Sequence, residues 1–209
     1  MRGKSGYHFA MSVPSTAAAL AVRPGHPTEA AALSALVNSA YRGESSKAGW
    51  TTEADLLGGQ RTDPEGLADI LRSHAEGNRD AGGTRESANA QVILVHTDAE
   101  GLACCVHLQR LPDHGAYLGM LTVRPVGQAR GLGRALLAAA EQWAAREWGT
   151  REIQMTVIAQ RTELIAWYER RGYRRTGENR PFPYDDVRFG LPKRDDLYFE
   201  VLAKALPAS

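Results

Sequence analysis

The sequence predicts one α/β domain with a mixed, mostly antiparallel central sheet flanked by helices. Three observations predict it. Three β-rich runs, at 91–96, 102–110 and 116–123, follow one another through short polar turns, as in an antiparallel meander. Apolar residues recur at three- and four-residue steps around 33–41, 67–71 and 132–143, the spacing of amphipathic helices. The order strand, helix, strand, helix between 117 and 171 requires one parallel strand pair joined by a right-handed crossover.

The 209 residues suffice for a substantial buried core. A formal net charge of +1 gives no global basic field toward nucleic acid or membrane, so partners are expected to be recognised locally. No apolar run approaches the roughly 18 residues of a membrane span, and the first residues lack the apolar core of a secretion signal. The expectation is a cytoplasmic protein; a homodimer is compatible with it. Cys104 and Cys105 are adjacent in a strand-like run, which fits neither a disulfide framework nor a metal knuckle. They are expected to be reduced packing residues, and no metal site is predicted.

Taken in order, residues 1–19 are small and polar without periodicity and are expected to form a mobile leader, with Met11 as an alternative start. A short first strand at 20–23 precedes the Pro24-Gly25 turn. In the first helix Pro27 and Glu29 suit the opening turn, and Leu33, Leu36, Val37, Ala40 and Tyr41 form the buried stripe. A polar segment from Arg42 to Glu53 follows, with one large aromatic, Trp50. Asp63-Pro64-Glu65 starts a second helix with Leu67, Ile70 and Leu71 inward, and 77–89 reads as an exposed loop.

Along the middle strand of the meander Leu102, Cys104, Val106 and Leu108 share one face, and Ala103, Cys105, His107 and Gln109 the other. The strand at 117–123 must stop before Pro125, which has no N–H for a ladder. The helix beginning near Leu132 buries Leu132, Leu136, Ala139, Ala140 and Trp143. A strand at 152–158, a helix at 162–171 closed by Gly172, and strands at 173–176 and 196–203 complete the sheet. The connection between the last two is unusually long for a hairpin. Residues 205–209 are expected to fray.

The chemistry concentrates in Gln128-Ala129-Arg130-Gly131-Leu132-Gly133. A strand feeding a helix through such a turn leaves the first amides of the helix unpaired and facing the crevice. Gly131 and Gly133 have no side chain to hold an anion away, and Arg130 and Arg134 add charge beside the positive end of the helix dipole. From the glycines alone, a diphosphate cradle and a merely tight connection are equally good readings. A dinucleotide fingerprint would need a third glycine where Leu136 stands, and a phosphate loop a Lys followed by Ser or Thr after Gly133; neither is present.

With Leu121 and Val123 in the preceding strand, and Gln128, Gly131 and Gly133 at every fixed position, this stretch resembles the Gln/Arg-x-x-Gly-x-Gly/Ala cofactor motif of the GNAT superfamily of N-acetyltransferases. The stretch from Ala159 to Tyr173 resembles the family's Asn-x-x-Ala-x-x-Leu-Tyr-x-x-x-Gly-Phe. Ala166, Tyr168, Gly172 and Tyr173 are in register, while Trp167 replaces the usual Leu and Arg161 stands at about the place of the Asn. The resemblance spans about 20–204 and implies a GNAT acetyltransferase domain there. In that fold the strands at 117–123 and 152–158 splay apart after a bulge, and a pantetheine arm pairs with the open edge.

The implied function is an acetyl-CoA-dependent N-acetyltransferase that moves an acetyl group to a primary amine of a small molecule or peptide by direct attack. Acetyl-CoA would lie on the amides from Ala129 to Arg134, with Gln128 and Arg161 beside it and its acetyl carbonyl near the amides of Leu121 to Val123. Tyr168 is the expected proton donor to the departing sulfur. Glu44 and Trp50 are acceptor-side candidates by placement, His107 by its strand face, and Tyr184 and Asp185, with Phe182 and Asp186, by the long connection. Glu44, His107 and Asp185 are candidate bases, and the acids of the connection would favour a cationic amine. A ping-pong route through an acetyl-cysteine lacks an activating His or helix N-terminus beside Cys104 or Cys105. The alternative class is a non-catalytic acyl-CoA-binding regulatory module, against which Tyr168 argues.

Overall fold

The computed structural model describes residues 19–49, 51–79 and 90–207, with the backbone alone at 77–79, 127, 129 and 130. The expected leader (bar Ala19), Trp50 and residues 80–89 of the expected loop lie outside the described residues.

β1 is Arg23–Pro24, not 20–23: it pairs antiparallel with the edge of β3 (Gln91–Asp98), where a proline is tolerated. His26 and Glu29 form a capping box, the Glu29 carboxylate accepting from the His26 N–H at 2.8 Å. A single 3₁₀ turn there leads into α1 (Ala30–Tyr41), whose buried stripe is the one its spacing predicts. After the short α2 (Gly43–Ser46) and β2 (Leu57–Gly58), Asp63 caps α3 (Pro64–Arg79) by accepting from the Gly66 N–H at 2.7 Å. α3 continues to Arg79, so residues 77–79 are helix where the sequence reads as loop.

β3, β4 (Gly101–Arg110) and β5 (Gly115–Val123) form the predicted meander. A 3₁₀ turn at Pro125–Arg130 leads into α4 (Leu132–Trp148), which ends on Gly149 in the left-handed region. β6 (Glu152–Ile158), α5 (Thr162–Glu169), β7 (Arg174–Pro181), β8 (Leu191–Pro192) and β9 (Tyr198–Ala205) complete the chain. The seven-stranded sheet has the order β1-β3-β4-β5-β6-β9-β7, with β5 and β6 parallel.

Period two along β4 splits the core between the two faces of the sheet. Cys104, Val106 and Leu108 pack with Leu136, Leu137 and Ala140 of α4 and Ile165 of α5. Cys105 packs on the other face with Leu33 and Val37 of α1 and Leu67 and Leu71 of α3. The long connection before β9 is not a plain hairpin. Its β8 pairs with β2 in a second, two-stranded sheet. There a Cβ on Gly190, at φ 101°, would come within 2.9 Å of the Gly58 carbonyl, so only glycine fits. Beneath it Leu57, Ile158, Phe182 and Leu197 make a third small core.

The parallel pairing of β5 and β6 covers only Gly115, Ala116 and Tyr117 opposite Glu152, Ile153 and Gln154. Beyond it the β4–β5 register slips between Cys105 and His107, and Met120 takes a φ of 52°. This bulge bends β5 away from β6. Tyr117 Oη and Thr156 Oγ1 share a hydrogen bond of 2.8 Å between the two strands.

Candidate active site

Where β5 leaves β6, two cavities approach each other. The first, about 500 Å³, lies toward the start of α4, within the usual range for small-molecule sites. Leu121, Val123, Gln128, Gly131, Gly133 and Arg134 line it from β5 and the glycine turn, Arg161 and Tyr168 from the second motif. Gly131, at φ 78°, is the N-cap of α4 and gives no side-chain cap. The first helical bond runs from the Ala135 N–H to the Gly131 carbonyl at 3.1 Å, so the amides of Leu132, Gly133 and Arg134 have no helical acceptor. Those donors fit a diphosphate.

Positive charge gathers on the same wall. Arg134, Arg170 and Arg171 all line the cavity. Burial, and then the like charges of Arg170 and Arg134, depress the pKa of Arg171 below its ordinary value. Its guanidinium lies 3.6 Å from the Trp167 ring centroid, one Nη donates to the Trp167 carbonyl at 2.6 Å, and its Nε is buried without a hydrogen-bond partner. Sequence reasoning missed Arg170 and Arg171, although both fall inside the second motif.

The second cavity, about 100 Å³, lies toward β2 and the long connection. Tyr41, Leu121, Arg161, Leu164 and Tyr168 line both. Tyr168 is 6% exposed, held edge-on between Trp167 and Tyr173, and burial raises its pKa above the ordinary phenol value. Tyr41 donates to the Leu121 carbonyl at 2.7 Å, fixing the edge of β5 from the opposite side.

Glu53 is the unforeseen residue. Its buried carboxylate accepts from Arg42 on one oxygen and from Arg161 on the other, the latter at 2.6 Å. Burial alone would raise its pKa, but Arg161, Arg61 and Arg42 together hold it below the ordinary value. Arg161 also donates to the Thr51 carbonyl at 2.6 Å, so it braces the α2–β2 segment as it lines the cavities. Gln128 does likewise, its amide donating to the Thr51 hydroxyl at 2.9 Å and the Val123 carbonyl at 3.1 Å.

Several acceptor-side expectations fall elsewhere. Glu44 is exposed and pairs with Lys47 at 2.7 Å. The His107 ring shares a hydrogen bond with Gln91 at 2.9 Å, and burial, then the charge of Arg61, lowers its pKa to about 4. Tyr184 accepts from the Leu197 N–H at 2.6 Å, and Asp185 is exposed. None of these four lines either cavity; from the long connection the second cavity takes Phe182 and Phe189 instead. Leu132 packs on the core, the side chains of Ala129 and Arg130 lie outside the described residues, and so does Trp50. Among the described residues no group of three His, Cys, Asp or Glu could hold a metal ion. None of their helices is long and apolar enough to cross a membrane.

The sheet with one splayed parallel pair, and an uncapped helix start beside it, fit an acyltransferase. The model of the acetyltransferase (GNAT) family matches residues 66–173, just over half of the chain, and the chain belongs to that family. It is an enzyme of a family that uses acetyl-CoA. Solved structures agree in fold. A ribosomal-protein-alanine N-acetyltransferase from Brucella melitensis is 21% identical, with a TM-score of 0.60 over 90% of this chain and 100% of that one. A GNAT-family acetyltransferase from Streptococcus pneumoniae is 20% identical, with 0.57 over 90% and 99%. A chimera of the spermidine N-acetyltransferase from Vibrio cholerae is 13% identical, with 0.59 over 89% and 96%. No curated protein matches the chain.

Proposed function

We propose that this enzyme, through a domain spanning about 20–204, transfers the acetyl group of acetyl-CoA to the primary amine of a small molecule or peptide by direct attack. The observation that carries the reading is the buried phenol of Tyr168 in the wall shared by both cavities, where the other phenol, Tyr41, already donates to the Leu121 carbonyl. The amides of Leu132, Gly133 and Arg134 bind the donor's diphosphate, with Arg134, Arg170 and Arg171 supplying counter-charge. The open edge of β5 from Leu121 to Val123 orients the thioester. Tyr168 then gives its proton, or a strong hydrogen bond, to the departing sulfur as the amine nitrogen closes on the carbonyl carbon and the C–S bond breaks.

A raised phenol pKa does not disqualify this donor. Burial lifts thiols too: both Cys104 and Cys105 are pushed up to about 12. A sulfur leaving against a buried phenol would also lose solvent, which raises its basicity and narrows the gap between the two acids. The cysteines themselves are buried and line neither cavity, which speaks for direct attack over an acetyl-cysteine. An amine of pKa about 10.4 must lose a proton before attacking. Glu53, with both oxygens on guanidiniums, is a weak base, so solvent at the mouth of the second cavity takes that proton.

The test is Tyr168→Phe, assayed by free-thiol release and, separately, by acetyl-CoA binding. Turnover is expected to fall roughly 10²-fold or more, the span of general acid catalysis, with the acetyl-CoA Kd unchanged. Undiminished turnover would remove the acid role. Thiol release by the natural chain with no amine of a broad panel would remove the transfer itself.

A further inference from the structure

The second cavity has a charge imbalance that bears on which amine it admits. Its wall contains three guanidiniums, those of Arg42, Arg61 and Arg161, and one carboxylate, that of Glu53. Glu53 is taken up by Arg42 and Arg161. Arg61 touches no carboxylate among the described residues, although its charge reaches Glu53. Its guanidinium lies 5.8 Å from the centre of the Tyr41 ring. Its place is fixed from below: Asn38 accepts from the Arg61 N–H at 2.7 Å and donates to the Thr62 carbonyl at 2.9 Å, tying this turn to α1. In the same wall the Nε of Arg42 is buried without a hydrogen-bond partner. A bare cationic amine would enter this cavity against a net positive field, whereas an anionic group would meet it favourably.

Toward the long connection the wall is apolar. Phe182 and Phe199 lie with ring centroids 5.5 Å apart, Phe189 stands beside them, and Leu57 closes the floor. Resting on the transfer reading above, we infer that the acceptor is an amine that also carries a carboxylate, bound by Arg61, with an apolar or aromatic side chain among Phe182, Phe189 and Phe199. A guanidinium's planar fork matches two carboxylate oxygens, so it orients the acceptor as well as attracting it. An α-amino acid with an aromatic side chain is the simplest molecule of this kind.

The probes are phenylalanine and phenethylamine, which differ by the carboxylate alone, with thiol release expressed per neutral amine. Phenylalanine is expected to lead by roughly 10- to 100-fold in kcat/KM, the range of one charge-assisted hydrogen bond. The lead should vanish in Arg61→Gln and return in part in Arg61→Lys, with the acetyl-CoA Kd equal in all three. Equal rates, or a lead for phenethylamine, would overturn the acceptor class and leave the transfer reading standing. Calorimetry on the CoA-loaded protein with N-acetylphenylalanine and N-acetylphenethylamine decides the anion site without turnover. Tighter binding of the former, lost in Arg61→Gln, supports the site; equal binding, or none, overturns it. Absence of thiol release from every amine tried counts against the transfer reading instead.

Discussion

His107 shows what placement does to a titratable residue. In the unfolded chain its pKa is about 6.5, and in the fold burial and the charge of Arg61 bring it to about 4. Between those values the unfolded state binds a proton that the native state refuses. Stability is therefore full above about 6.5 and falls as the pH drops toward 4, by up to about 1.4 kcal/mol per pH unit. Glu53 acts in the same direction at lower pH, starting from its ordinary 4.5. His107→Gln is expected to flatten the loss between pH 7 and 5 in urea unfolding; a variant as acid-sensitive as the natural chain contradicts this. Alternation along β4 already put His107 on the face away from Cys104 and Val106. Its partner Gln91, on the neighbouring strand, was not legible, because strand register decides who meets it.

At the level of elements, legibility followed the strength of the local signal. β6 falls on the residues its composition marks, and α4 starts at Leu132 behind Gly131, whose left-handed conformation favours glycine. β2 and β8 escaped notice because two-residue strands carry no period, and each exists only by pairing with the other. Glu53 was hidden for a related reason: its partners stand 11 and 108 residues away in the chain. This carboxylate joins the end of α1 to the start of α5 across the α2–β2 segment. Glu53→Ala leaves two buried guanidiniums uncompensated and is expected to cost about 3–5 kcal/mol. Its thermal midpoint should drop well below that of Glu44→Ala, whose exposed pair with Lys47 contributes almost nothing. Comparable midpoints for the two variants would show that the tie is not structural.

Across the whole molecule, the sheet acts as a frame interrupted at one place. The seven strands keep α4 and α5 on one face and α1 and α3 on the other, and the break between β5 and β6 connects them. A ligand that fits this break and the α4 amides binds the folded chain and not the unfolded one. Acetyl-CoA at 100 times its Kd is expected to stabilise the protein by about 2.7 kcal/mol, read as a rise in thermal midpoint. ATP and NAD, which offer phosphates but no thioester arm, should raise it far less; equal shifts contradict the donor assignment.

The sizes of the two chambers differ, about 500 Å³ on the donor side against about 100 Å³ beyond the phenol. In the proposed chemistry the acyl tail and the incoming nitrogen must share the smaller one, beside the bridge between Tyr117 and Thr156. In that arrangement every carbon added to the tail would take space from its attacker. On the proposed reading the donor would be measured by length at the far end, however firmly its nucleotide were held at the near one.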